Sequence, residues 1–135
     1  MSLRRELAVR AEAPPGCVYF IVQTHELVGR GLTKVGWAAK PRRRLSEIQV
    51  GSPYLLETWG LFPAERSAEL HAHAVLDPYR VRGEWFALQG AVDVVHEAVT
   101  SGLTLNVALA AIVAHLQTET DEVLVALGTP NSGVR

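Results

Sequence analysis

The chain has few of the residues that would stabilise a fold covalently or through a metal. Its 135 residues include one cysteine, Cys17, so no internal disulfide can form and no cysteine cluster can hold structural zinc. The longest apolar stretch, residues 103–116, is interrupted by polar side chains and is too short for a membrane span. Charged residues interrupt the N-terminus where a signal peptide needs an apolar run. We therefore expect a cytoplasmic protein with no structural metal and no membrane association.

Basic residues are almost absent from the last third of the chain. Residues 1–82 carry twelve Lys or Arg against eight acidic residues, whereas residues 83–135 carry one against six. Between Glu26 and Glu47 no acid interrupts the six cations Arg30, Lys34, Lys40, Arg42, Arg43 and Arg44. Such a run is either a solvated basic face or a contact surface for a polyanion such as nucleic acid.

Hydrophobic patterning predicts a mixed α+β domain. Residues 17–23 are rich in β-branched and aromatic side chains and predict a buried strand, with residues 33–37 as the returning strand of a hairpin. A helix over 41–50 starts with proline, a third strand covers 54–62, and a second helix covers 64–76. Residues 83–88 predict a turn with a short strand or docking segment, in which Trp85 and Phe86 fill the core.

The remainder of the chain predicts helices. Apolar residues recur at helical spacing over 91–100 and 103–118, and a short helix is expected over 120–127. These acidic, apolar helices could cover the sheet, form a homodimer interface or contact a partner protein through residues 91–127. The expected organisation is an N-terminal arm over 1–15, a domain over 16–88, a C-terminal helical extension over 89–128 and a disordered tail over 129–135.

One face of the helix over 64–76 mixes polar side chains with a leucine. Glu69, His73, Leu76 and Arg80 follow one another at spacings of four, three and four residues, which places them on one side of a helix. Burying these polar groups without partners is costly, whereas a stripe that faces solvent would expose the apolar side chain of Leu76. A cleft wall satisfies both constraints, although a Glu69–His73 pair alone is more often a surface contact.

The order of motifs over residues 16–88 resembles the GIY-YIG endonuclease superfamily. The resemblance is carried by Val18-Tyr19-Phe20-Ile21, by Lys34-Val35-Gly36, by Arg44 and by a later series, Glu69-xxx-His73-xx-Leu76-xxx-Arg80-xx-Gly83-Glu84-Trp85-Phe86. It is greatest for a short branch in phage and bacterial proteins that is often described as DNA-binding. The resemblance implies an α/β (α+β) fold: a small three-stranded mixed or antiparallel sheet flanked by helices, here with a C-terminal helical extension.

The resemblance also implies residue roles. Tyr19 would activate the attacking water, Gly36 would leave room for the scissile phosphate, Arg44 would contact that phosphate, and Glu69 would bind Mg²⁺ or Mn²⁺. Phosphodiester hydrolysis builds negative charge, which an arginine and a hard cation are suited to stabilise. Because a free tyrosine has a pKa of about 10, we expect Lys34 or a metal-bound water to assist it. His73 is a candidate proton carrier.

These roles define the predicted site residues. The predicted catalytic residues are Tyr19, Lys34, Arg44, Glu69 and His73, with Glu69 as metal ligand. The predicted DNA contacts are Arg30, Lys34, Gly36, Trp37, Lys40, Arg42, Arg43, Arg44 and Arg80. Two features depart from the superfamily's best-studied nucleases: Lys34 stands where they have tyrosine, and the matched region contains no asparagine.

Three functions stay open from the sequence. The first is a divalent-metal-dependent endonuclease that hydrolyses DNA phosphodiester bonds. The second is a non-catalytic DNA-binding module that uses the same basic cleft. Arg44 and Lys34 can bind phosphate even though the matched region lacks the second tyrosine and the asparagine of the best-studied nucleases. The third is a protein-interaction module that acts through the acidic C-terminal helices.

Overall fold

A five-stranded antiparallel sheet forms the centre of the molecule. The computed structural model describes residues 16–25 and 29–128, so the predicted arm over 1–15 and the predicted tail over 129–135 lie outside the described residues. The strand order is β3-β1-β2-β5-β4. The strands are β1 (Gly16–His25), β2 (Gly29–Ala38), β3 (Leu55–Ala64), β4 (Arg80–Arg82) and β5 (Trp85–Phe86).

Four α-helices are present in the described part of the chain. They are α1 (Pro41–Val50), α2 (Ser67–Leu76), α3 (Val92–Thr100) and α4 (Leu105–Ala126), with single 3-10 turns at Asp77–Tyr79 and Gln89–Ala91. Among residues 16–25 and 29–128, no helix combines the length and apolarity needed to cross a membrane.

Strand β1 is buried on both faces, which explains its continuous apolar sequence. Val18 and Phe20 point to one face of the sheet and Tyr19 and Ile21 to the other, and none of the four is more than 2% exposed. Helices α2, α3 and α4 cover the first face and build the larger core. Helix α1 covers the second face, where it contributes Leu45 and Ile48 to a smaller core.

The predicted three-stranded sheet is wrong because a second hairpin extends it. Strand β5 pairs with β2 through Phe86 opposite Thr33 and Trp85 opposite Lys34, and β4 then pairs with β5. Sequence patterning predicts a short strand or docking segment within residues 83–88, where β5 lies, but it misses β4, because three exposed residues are too few for an alternating pattern. All pairs in the observed sheet are antiparallel.

The C-terminal helices pack on the sheet. Helix α4 is one 22-residue helix and shows no break between 118 and 120, where the hydroxyls of Thr118 and Thr120 donate to backbone carbonyls four residues earlier and so are satisfied within the helix. Its buried residues join the larger core, namely Leu105, Ala108, Leu109, Ile112 and Leu116. The partner surface over residues 91–127 and the domain division at residue 88 stay predictions.

Candidate nucleic-acid interface

A cleft opens where β2 ends, between the first turns of α1 and α2. Its volume is about 660 Å³. Its lining comes from the end of β2 and the residues after it, from the beginnings of α1 and α2, and from the turn between β4 and β5: Trp37, Ala38, Ala39, Arg44, Arg66, Ser67, Glu69, Leu70 and Glu84. The charged lining groups are thus two guanidinium groups and two carboxylates.

The cleft exists because β5 is too short to cover the whole edge of β2. Strand pairing stops at Lys34, and one further backbone bond joins the Val35 amide to the Glu84 carbonyl at 3.0 Å. Helix α2 then satisfies the exposed edge with side chains. Oε2 of Glu69 accepts a hydrogen bond from the Trp37 amide at 2.7 Å, and Nε2 of His73 donates to the Val35 carbonyl at 2.6 Å. The four-residue spacing therefore lets Glu69 and His73 replace the missing strand partner.

Tyr19 lies below the cleft and contacts one of its arginines. It pairs with Gly36 across the β1–β2 ladder, and a Cβ atom at Gly36 would overlap the tyrosine hydroxyl. Burial raises the pKa of Tyr19, and a smaller opposing effect comes from its hydrogen bond with Arg44. The same hydrogen bond raises the pKa of Arg44. Tyr19 is therefore a neutral phenol that lies beside the Arg44 guanidinium.

Lys34 does not line the cleft itself, but it forms an ion pair with Glu84, which does. Its Nζ lies 3.0 Å from Oε1 of Glu84, which lines the cleft, and 5.5 Å from the centre of the Trp85 ring. Only 13% of the Lys34 side chain is exposed. The ammonium is thus held in place by Glu84 instead of projecting freely into the cleft.

The structure brings part of the predicted site together. Arg44 and Glu69 line one cleft, Tyr19 contacts Arg44, and Trp37 lines the cleft beside Glu69. The cations that precede Arg44 lie exposed around the start of α1, namely Lys40, Arg42 and Arg43. The predicted space over Gly36 is occupied by the Tyr19 hydroxyl.

Three predicted site residues lie elsewhere and have structural partners. His73 bonds the Val35 carbonyl, and its ring lies 5.3 Å from that of Phe86. Arg80 binds Asp77 at 2.9 Å and the Gly83 carbonyl, which closes the segment between α2 and β5. Arg30, at the opposite end of β2, lies 3.0 Å from Asp93 and stacks on Trp59.

Sequence analysis missed two cleft residues, Arg66 and Glu84. The sequence position of each could have indicated that it lies near the cleft. Arg66 immediately precedes α2 and stands three residues before Glu69, so it lies at the same end of the same helix. Glu84 precedes Trp85, whose pairing with Lys34 brings the carboxylate next to the ammonium.

The predicted divalent cation has one suitable ligand and a second carboxylate in the same cleft. Glu69 uses one oxygen for the Trp37 amide, and Glu84 is paired with Lys34. Within the described residues, no three His, Cys, Asp or Glu side chains come together as a metal site. Magnesium, however, is often held by one or two carboxylates, with water and substrate phosphate as its other ligands. Glu69 fits that sparse type of site, and the metal stays a prediction.

The fold and the cleft define an α+β domain with a charged cleft at the exposed edge of its second strand. The family model of the T5orf172 domain matches residues 16–101, and the chain belongs to that family. No curated protein and no solved structure matches the chain. The assignment to the GIY-YIG superfamily is therefore wrong, because the matching family is a different one, although its fold is reported to be GIY-YIG-like.

The raised pKa of Tyr19 predicts an alkaline loss of stability. Because the pKa in the folded state lies above the unfolded value of about 10, neutral Tyr19 stabilises the fold below that pH. This contribution disappears as the pH rises through the folded pKa. Tyrosinate absorbance is followed against pH for the wild type and for Tyr19→Phe. The titration step that is missing from the variant should have its midpoint above pH 10. A missing step with its midpoint at or below pH 10 would contradict the buried hydroxyl.

Proposed function

We propose that the cleft binds the phosphodiester backbone of DNA and hydrolyses it. The observation that carries the proposal is the placement of Arg44 and Glu69 in one cleft, with a neutral Tyr19 beside the arginine. Arginine is suited to grip a phosphate through two parallel hydrogen bonds, and a carboxylate beside it is suited to hold a hard cation. Because Arg44, Glu69 and Tyr19 come together at one cleft, we infer that they bind and hydrolyse a phosphodiester instead of serving only to stabilise the fold.

Each side chain has a distinct task in the proposed reaction. Arg44 binds the phosphoryl oxygens and stabilises the charge that develops on them. Tyr19 is a positioning residue beside Arg44, because its raised pKa keeps the hydroxyl protonated and so unable to take a proton from water near neutral pH. A divalent cation at Glu69 would supply positive charge next to the phosphate. Glu84 pairs with Lys34 and holds its ammonium beside the cleft.

A non-catalytic DNA-binding module is the second candidate. It is favoured by the hydrogen bond of Glu69 to the Trp37 amide, which gives that carboxylate a structural role without any metal. The lack of three converging metal-ligating side chains within the described residues points the same way. In this version the cleft and Arg44 bind phosphate as above, but no bond is broken.

DNA binding itself is tested by the salt dependence of affinity. We expect Arg44→Ala to weaken binding of a short fluorescent duplex by about ten- to a hundredfold, because a charge-assisted contact is worth about 1.5–3 kcal/mol. The slope of log affinity against log salt should fall by about one counterion. Fluorescence anisotropy at several salt concentrations measures both quantities.

Arg43→Ala is the matched control for this experiment. Arg43 is the neighbouring residue in α1, it also pairs with Glu47, and it does not line the cleft. Its removal deletes the same charge but should change affinity only a few-fold. Equal losses for the two variants would show that diffuse charge on α1, and not the cleft, attracts DNA. Unchanged affinity of Arg44→Ala would refute phosphate binding in the cleft.

A further inference from the structure

Arg66 is held over the cleft before any ligand binds. Its guanidinium carbon lies 5.1 Å from the centre of the Trp37 ring, a distance typical of a cation–π contact. The indole beneath it cannot turn freely, because its Nε1 donates to the Ala64 carbonyl at 2.8 Å. The Trp37 amide is bonded to Glu69. A side chain that rests on such a platform loses little entropy when it binds an anion.

The charge of Arg66 is the least compensated among the cationic groups at the cleft. Lys34 pairs with Glu84 at 3.0 Å, and Nη1 of Arg44 lies 3.4 Å from Glu47. Within the described residues, Arg66 forms no ion pair. An anion that enters the cleft therefore meets Arg66 without having to displace a carboxylate from it.

The cleft is also larger than one phosphate needs. A water molecule takes up about 30 Å³ of liquid, so a volume of about 660 Å³ holds many waters, whereas one phosphate group displaces only a few. Arg44 projects from α1, and Arg66 from the residue that precedes α2. The two guanidinium groups thus belong to different walls of a space that admits a length of nucleic-acid backbone.

We propose that Arg66 binds a second phosphate, adjacent on the same strand to the phosphate that Arg44 binds. The inference rests on the proposed function and narrows its substrate class. The ligand is then an internal stretch of a strand with two consecutive phosphates, and a single phosphodiester fills only half of the site.

Thymidine dinucleotide, which has one phosphodiester, and thymidine trinucleotide, which has two, test this arrangement. We expect the wild-type chain to bind the trinucleotide about tenfold more tightly than the dinucleotide, as measured by NMR titration in low salt. Arg66→Ala should bind the trinucleotide about tenfold more weakly than the wild type but the dinucleotide nearly as well, since Arg44 still holds one phosphate. The preference for two phosphates should therefore disappear. Arg66→Lys, which keeps the charge, should retain part of it.

Arg82→Ala is the control, because Arg82 is an exposed arginine on β4 that does not line the cleft, and its removal should leave the preference unchanged. If Arg66→Ala weakens both ligands by the same factor, the two arginines share one phosphate and the inference is wrong. If Arg66→Ala behaves like the wild type while Arg44→Ala still weakens duplex binding, only this inference fails. If neither arginine matters for any DNA ligand, the proposed function fails with it.

Discussion

Glu69→Gln is expected to lower the rate of DNA cleavage by about 10²–10³-fold while leaving the fold intact. Glutamine keeps an oxygen that accepts the hydrogen bond from the Trp37 amide, so α2 stays attached to the edge of β2. It loses the negative charge that a divalent cation requires. Nicking of supercoiled plasmid in Mg²⁺ or Mn²⁺, followed over time, measures the rate.

Glu69→Ala separates the structural role of this carboxylate from the catalytic one. Alanine removes the charge and the hydrogen bond together, so the Trp37 amide loses its partner at a cost of about 1–3 kcal/mol. Urea denaturation should show this loss for the alanine variant and little change for glutamine. A glutamine variant that cleaves at the wild-type rate would exclude Glu69 from catalysis. A wild-type chain that binds DNA but never nicks it would favour the non-catalytic module.

Ile112→Ala is expected to destabilise the whole domain by about 2–5 kcal/mol. Ile112 is fully buried in α4 and belongs to the same core as Val18 and Phe20 of the central strand. The family match ends at residue 101, before α4 begins, yet the buried residues of that helix complete the core over the sheet. Urea denaturation followed by circular dichroism and by tryptophan fluorescence measures the change.

Val107→Ala is the control for the Ile112 variant. Val107 lies on the same helix but is 50% exposed, so its truncation should cost less than about 0.5 kcal/mol. The two spectroscopic signals should give one coincident transition for every variant. Two separated transitions, with only the helical signal affected by Ile112→Ala, would mean that α4 is an independent appendage.

The first five elements could be predicted because their signals are local. Helix α1 spans Pro41–Val50 as predicted from its initial proline, and β1 and β3 are found within a few residues of their predicted positions. Strand β3 continues two residues past its predicted end at residue 62 and includes Pro63, because it lies at the edge of the sheet, where a missing amide hydrogen is tolerated.

The rest of the fold depends on contacts between distant residues. Strand β4 is defined by its pairing with β5, the place of β5 in the sheet by its pairing with β2, and the uninterrupted α4 depends on packing along its buried face. No acidic residue interrupts the cations over residues 30–44 in the sequence, but two of them have distant acidic partners in the folded chain. In space, Arg30 pairs with Asp93 and Lys34 with Glu84, both far along the chain.

The parts of the candidate site that could be predicted are those in which the chemistry of the side chain indicates its ligand, such as arginine for phosphate and glutamate for a divalent cation. Arg44 and Glu69 were predicted as phosphate and metal groups, and they line one cleft. The stripe from Glu69 to Arg80 was interpreted as a cleft wall, but only Glu69 lines the cleft, while His73 and Arg80 bond to backbone carbonyls. Backbone groups left without partners by a short strand cannot be read from side-chain spacing, so these roles became apparent only in the structure.

An NMR titration with a short DNA duplex tests the central claim most directly, since it locates where DNA binds. The claim predicts that the largest shifts fall on the backbone amides of Trp37 and Ser67 and on the side-chain Nε–H of Arg44, with little change in α4. Shifts concentrated on α3 and α4, or no saturable shift in low salt, would contradict phosphate recognition in the cleft.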